Sequence, residues 1–102
     1  MIALALLGTA PALTFFSGND LYSQCEMETP MVCVGYILGV SDAVSDAETA
    51  GSLPRLVCVS KDSTPEQLKD IVVKYLRDNP DTRDKSAASL TVAALRHAAP
   101  CT

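Results

Sequence analysis

Four cysteines, Cys25, Cys33, Cys58 and Cys101, and the single histidine, His97, are the residues of this 102-residue chain whose chemistry goes beyond surface charge. A structural zinc site would need thiolates in close C-x₂₋₄-C pairs, and Cys25 and Cys33 stand too far apart for that. A catalytic thiolate would need a neighbouring base. His97 lies four residues before Cys101, but a bridged Cys101 has no thiol to activate, and a lone histidine in a last helical turn more often complements the helix dipole. No G-x-S-x-G and no glycine-rich phosphate loop occurs. Neither a catalytic set nor a cofactor or metal site is therefore expected. Disulfides fit better, because a chain without Trp and with few aromatics builds only a modest aliphatic core and gains from covalent staples. Four cysteines allow three pairings. Position along the chain favours Cys25–Cys33 across a tight turn and Cys58–Cys101 flanking a helical hairpin; crossed pairings stay open. A bridge closing the longer loop contributes on the order of 4 kcal/mol in the chain-entropy model.

The elements that must position these residues read as helices. Ser17 or Asn19 caps a short first helix ending near Glu26, with Asp20 at its positive end and Leu21 and Cys25 on one face. Pro30 breaks that helix and opens the next. Residues 31–47 form a central helix, apolar on nearly every side, and such a helix is expected to be wrapped by its neighbours. Gly35 and Gly39 on one face are expected to mark close approach of another element. Asp42 either caps a neighbouring segment or faces water. Residues 46–54 read as an exposed, mobile loop, followed by a short extended piece, Leu56 to Val59, with no second strand to pair with. Thr64-Pro65-Glu66-Gln67 is a capping box with proline in the first turn, and Leu68, Ile71, Val72, Tyr75 and Leu76 follow at helical spacing. That helix stops before Pro80. A last, alanine-rich helix spans about 86–98, with Ala88, Val92 and Leu95 as its inner face.

The apolar run from Ile2 to Leu7, followed by Ala10-Pro11-Ala12, reads as an export signal cleaved after Ala12, although no Lys or Arg precedes the run. Residues 13–102 then form a single domain. The run is too short to span a bilayer, and the cysteines suit an oxidising compartment. Net charge is −4 and the basic residues are scattered among acids. A nucleic-acid binder would show a basic stripe instead.

Taken together, Gly18-Asn19-Asp20-Leu21, Cys25, Cys33 with Gly35, Tyr36, Gly39 and Asp42, Cys58, Gln67-Leu68, Tyr75-Leu76, Pro80, Arg83, Ala94-Leu95 and Pro100-Cys101 resemble the pattern of the Rap/Tai family of periplasmic immunity proteins. The match runs from Ser17 to Cys101. It departs at Ser60, where family members often carry Pro, and at Ala99, where they often carry an aromatic. The resemblance implies an all-α, disulfide-stapled, HdeA-like bundle of about four helices, usually homodimeric. It also implies a non-catalytic role, in which an exposed loop occludes the cleft of a peptidoglycan amidase delivered by type VI secretion. The leading candidate for that loop is Asp78, Asn79, Pro80, Asp81, Thr82 and Arg83, stiffened by Pro80 and carrying acids suited to a basic cleft. The second candidate is 46–54. The alternative function is a periplasmic binding or chaperone-like module of the same fold, since fold does not fix function.

Overall fold

The computed structural model describes residues 14–101, so the expected export signal at 1–12 lies outside the described residues. Four α-helices make up the fold: α1 (Gly18–Cys25), α2 (Met31–Thr49), α3 (Pro65–Asp78) and α4 (Ala87–Ala98). A 3₁₀ turn, Pro80–Thr82, links α3 to α4. No strand occurs among the described residues; the one β-bridge there joins Ser17 to Ser86. The fold is all-α.

Local chemistry sets the starts of α1, α3 and α4, while α2 starts after Pro30 with no side-chain cap. Ser17 Oγ accepts from Asp20 N at 3.1 Å while the Asp20 carboxylate accepts from Ser17 N at 3.0 Å, a reciprocal capping box. Thr64 and Gln67 repeat the device at α3, behind Pro65. Ser86 caps α4 through Ser89 N. At the end of α2, Gly51 takes φ +81°, a left-handed conformation that glycine adopts without cost, and Ser52 N closes onto Ala47 O at 2.9 Å.

All four helices contribute to one core, in which Leu21, Ile37, Leu76, Leu95 and Val72 are the largest fully buried side chains. The buried face of α4 is Ala87, Leu90, Thr91, Ala94 and Leu95, rotated from the expected one: Ala88 and Val92 are only half-buried. The difference arises because alanine marks no side of a helix. Thr91 also enters the core by donating its hydroxyl to Ala87 O at 2.8 Å, which satisfies the buried group.

Two bridges staple the bundle. Cys25 is bonded to Cys33, closing the α1–α2 turn, and Cys58 to Cys101, 43 residues apart, tying the segment before α3 to the end of the chain. The start of α1 is sewn to the start of α4 by Ala87 N to Phe16 O, Gly18 N to Lys85 O and Asn19 N to Arg83 O, each 2.8–2.9 Å. Gly18 is required by that approach, since a Cβ there would meet Leu90 Cδ1 and lie 2.9 Å from Arg83 O.

The central helix departs most from expectation. Only Cys33 and Ile37 of α2 are buried. Met31 is 79% exposed and Val32 55%, and a Cβ added at Gly35 or Gly39 would meet nothing within 4 Å. The glycines therefore do not mark close packing within the chain. Three partner helices cover one stripe of a long helix and leave the opposite side bare. Asp42 is exposed. No helix of the described residues is long and apolar enough to cross a membrane.

Candidate partner-binding surface

Residues 78–83 form a built turn, not a slack connection. Pro80 starts a single 3₁₀ turn. Asn79 donates its side-chain amide to Tyr75 O at 2.9 Å, and Thr82 donates both its hydroxyl and its N–H to Asn79 O, at 3.0 and 3.2 Å. Arg83 lays its guanidinium 4.3 Å from the centre of the Tyr22 ring, a cation–π contact between the turn and α1. Its Nε is buried without a hydrogen-bond partner. Asn79 and Thr82 thus spend their polar groups on the turn and the end of α3, Arg83 packs on α1, and all three are half-buried. The side chains offered outward are Asp78, Pro80 and Asp81. Lys74 Nζ donates to the Asp78 carboxylate at 2.6 Å and holds its pKa below the ordinary aspartate value.

The second candidate is not a loop throughout, because α2 continues to Thr49 and takes in the first part of 46–54. The exposed stretch is 49–55. It is held by one carboxylate oxygen: Glu48 Oε2 accepts from Leu56 N at 2.7 Å and from Val57 N at 3.0 Å. Those two bonds, to Leu56 first and then Val57, hold the Glu48 pKa below its ordinary value, and the nearby Arg55 charge adds to the effect. No sequence signal marks Glu48, since it acts on residues eight and nine positions away.

The chemistry-bearing residues are distributed as follows. No free cysteine occurs among the described residues, so Cys101 holds its sulfur in a bridge. His97 is exposed and lies against Tyr75, ring centroids 6.0 Å apart. No group of three His, Cys, Asp or Glu able to hold a metal ion occurs among the described residues. The bare side of α2 continues onto an aromatic step, where Phe16 stacks on Tyr36 at 5.3 Å and Phe15 stands 85% exposed. Val32, Gly35 and Ala88 complete that shallow apolar surface. Burial pushes the Tyr36 phenol pKa up.

The described residues thus form a stapled all-α scaffold with ordered turns, a bare apolar side and cysteines held in bridges. The family model of the Rap1a immunity proteins matches residues 17–101, and the chain belongs to that family. Neither a curated protein nor a solved structure is detectably similar to it. Membership makes it an immunity protein, one whose partner is a toxin effector of type VI secretion.

Proposed function

We propose that this immunity protein acts in the periplasm and silences a type VI secreted peptidoglycan amidase by occluding its cleft, with the 78–83 turn as the inserting element. The observation that carries the reading is the family match over 17–101. The turn supports the assignment of the inserting element because it is ordered before any partner arrives. Little conformational entropy is then lost on docking, and Pro80 and Asp81 stand outward. The bridges suit an exported protein. The chain acts as a homodimer, with a second copy covering the bare side of α2 around Val32, Gly35 and Gly39.

The test is inhibition of the amidase encoded beside it, using the oxidised chain and purified peptidoglycan. Equimolar chain abolishes hydrolysis, and Asp81→Lys relieves the inhibition while leaving the fold intact by circular dichroism. An amidase that hydrolyses at full rate with the chain in excess overturns the reading. A second reading is a chaperone-like module, favoured by the exposed Phe15, Met31 and Val32. Suppression of aggregation of unrelated proteins at low pH, without amidase inhibition, is the result that would support it.

A further inference from the structure

Arg55, Arg96 and His97 come from two distant parts of the chain and line one open groove of about 470 Å³ beside the Cys58–Cys101 bridge. Arg96 and His97 belong to the last turn of α4, where positive groups complement the helix carbonyls. That role does not account for Arg55, which arrives on the segment after α2. Among the described residues no Asp or Glu lines the groove, and none of the three side chains enters an ion pair there. Glu48 lies near enough to feel the Arg55 charge, but its carboxylate is engaged by the N–H groups of Leu56 and Val57. The chain has twelve acids against eight Lys and Arg, so an acid-free groove with two guanidiniums is charge segregated against the average. Glu48 offsets part of the Arg55 charge from outside the groove, but within the groove the cations face no acid, so an anion placed there is favoured. Guanidiniums also present planar forks that match carboxylates. Leu56, Tyr75 and Pro100 supply the less polar part of the lining.

We propose that this groove binds an acidic segment of the toxin partner: carboxylates meet Arg55 and Arg96 while the aliphatic stems of the same side chains lie on Tyr75, Leu56 and Pro100. The partner's identity rests on the function proposed above. The groove is continuous with the inserting turn, because Tyr75 and His97 also line the neighbouring groove that contains Asp78 and Asn79. The two form one surface, with the Lys74–Asp78 pair at one edge and Arg55 and Arg96 at the other. A partner seated on both is fixed in orientation as well as held.

Two measurements test this separately from the function. In the first, a hexaglutamate peptide is titrated into the isotope-labelled oxidised chain. Saturable NMR shifts are expected at the Arg55 and Arg96 side-chain Nε–H groups and at the His97 ring, and are lost in the Arg55→Glu/Arg96→Glu variant. Absence of saturable shifts in the wild-type chain overturns the proposal. In the second, affinity for the amidase is measured for the same double variant and for Lys61→Glu, a cation outside the groove. The double variant is expected to weaken binding on the order of 100-fold, with a shallower salt dependence, and Lys61→Glu to change it less than about twofold. An unchanged affinity in the double variant overturns the groove as part of the interface while leaving the proposed function standing. Peptide binding with no amidase binding by any form of the chain overturns the proposed function and leaves the carboxylate groove standing.

Discussion

The 78–83 turn and the 49–57 segment both run over the surface, and they are ordered by different means. In the first, the bonds end on backbone carbonyls, Tyr75 O, Asn79 O and Pro80 O, and the turn is clamped to α1 through Arg83 on Tyr22 and through Asn19 N on Arg83 O. In the second, the glycine cap of α2 turns the chain, and a single carboxylate, Glu48, receives it again at Leu56 and Val57. The carbonyl acceptors that shape residues 79–83 do not titrate, whereas the second segment hangs on a group that does. An inserting element benefits from the first design, because its shape is then independent of the solution outside.

The comparison can be broken most severely at the staple of the second segment. Replacing Cys58 and Cys101 with Ser should cost about 4 kcal/mol in denaturant unfolding, against about 2.5 kcal/mol for the shorter Cys25–Cys33 loop, if loop entropy dominates. Equal losses would show that burial, not loop length, sets the value of each bridge. The first segment is attacked by Gly18→Ala. The added methyl collides with the Arg83 carbonyl and Leu90, so a loss of about 1–3 kcal/mol is expected, with amide shifts at 82–85 and none at 49–57. Arg83→Ala should cost about 1 kcal/mol by removing the contact with Tyr22, and it should raise the mobility of the turn in NMR relaxation. An Arg83→Ala chain with an equally rigid turn would leave Pro80 and Asn79 as its sole organisers.

The smallest effect is the most selective. Glu48 has a folded pKa below its unfolded value, so its stabilising contribution is complete above the ordinary glutamate value of about 4.5 and is lost as the pH falls through the lower folded value. In an acid titration the Leu56 and Val57 amide signals should move in that window, the Thr82 amide should stay fixed, and Glu48→Gln should remove the pH dependence at Leu56 and Val57. Coincident movement of Thr82 would mean that the two segments are coupled.

Much of this was legible in the residues. The capping boxes at Ser17 and Thr64, the stop before Pro80 and the helical stripe from Leu68 to Leu76 are local signals, read within a few positions, and the structure carries them. The position of the 78–83 turn was legible as well, because Pro80 between two helical patterns marks a connection. What was not legible was which of its side chains face inward: Arg83 is one of the candidate partner-binding residues in the sequence, and only the structure places Tyr22, 61 residues earlier in the chain, beneath it. Residues 46–49 read as loop because Gly51, Ser52 and Pro54 follow so closely, yet Ala47 and Glu48 are good helix formers and α2 runs on to Thr49, just before the Gly51 turn.

The sequence by itself determined the all-α class, the helix boundaries to within a few residues and the family, because capping, proline and cysteine spacing are short-range or pattern properties. The tertiary structure alone decided which side of α2 is covered, which face of α4 is buried and where the charges converge. Burial depends on how many neighbours a helix has, and its own hydropathy does not report that number. Arg55 and Arg96 are scattered cations in the chain; only packing and the Cys58–Cys101 bridge bring them to one groove. The basic residues show no cluster when the sequence is read in order, because electrostatic patterning is a property of distances in space.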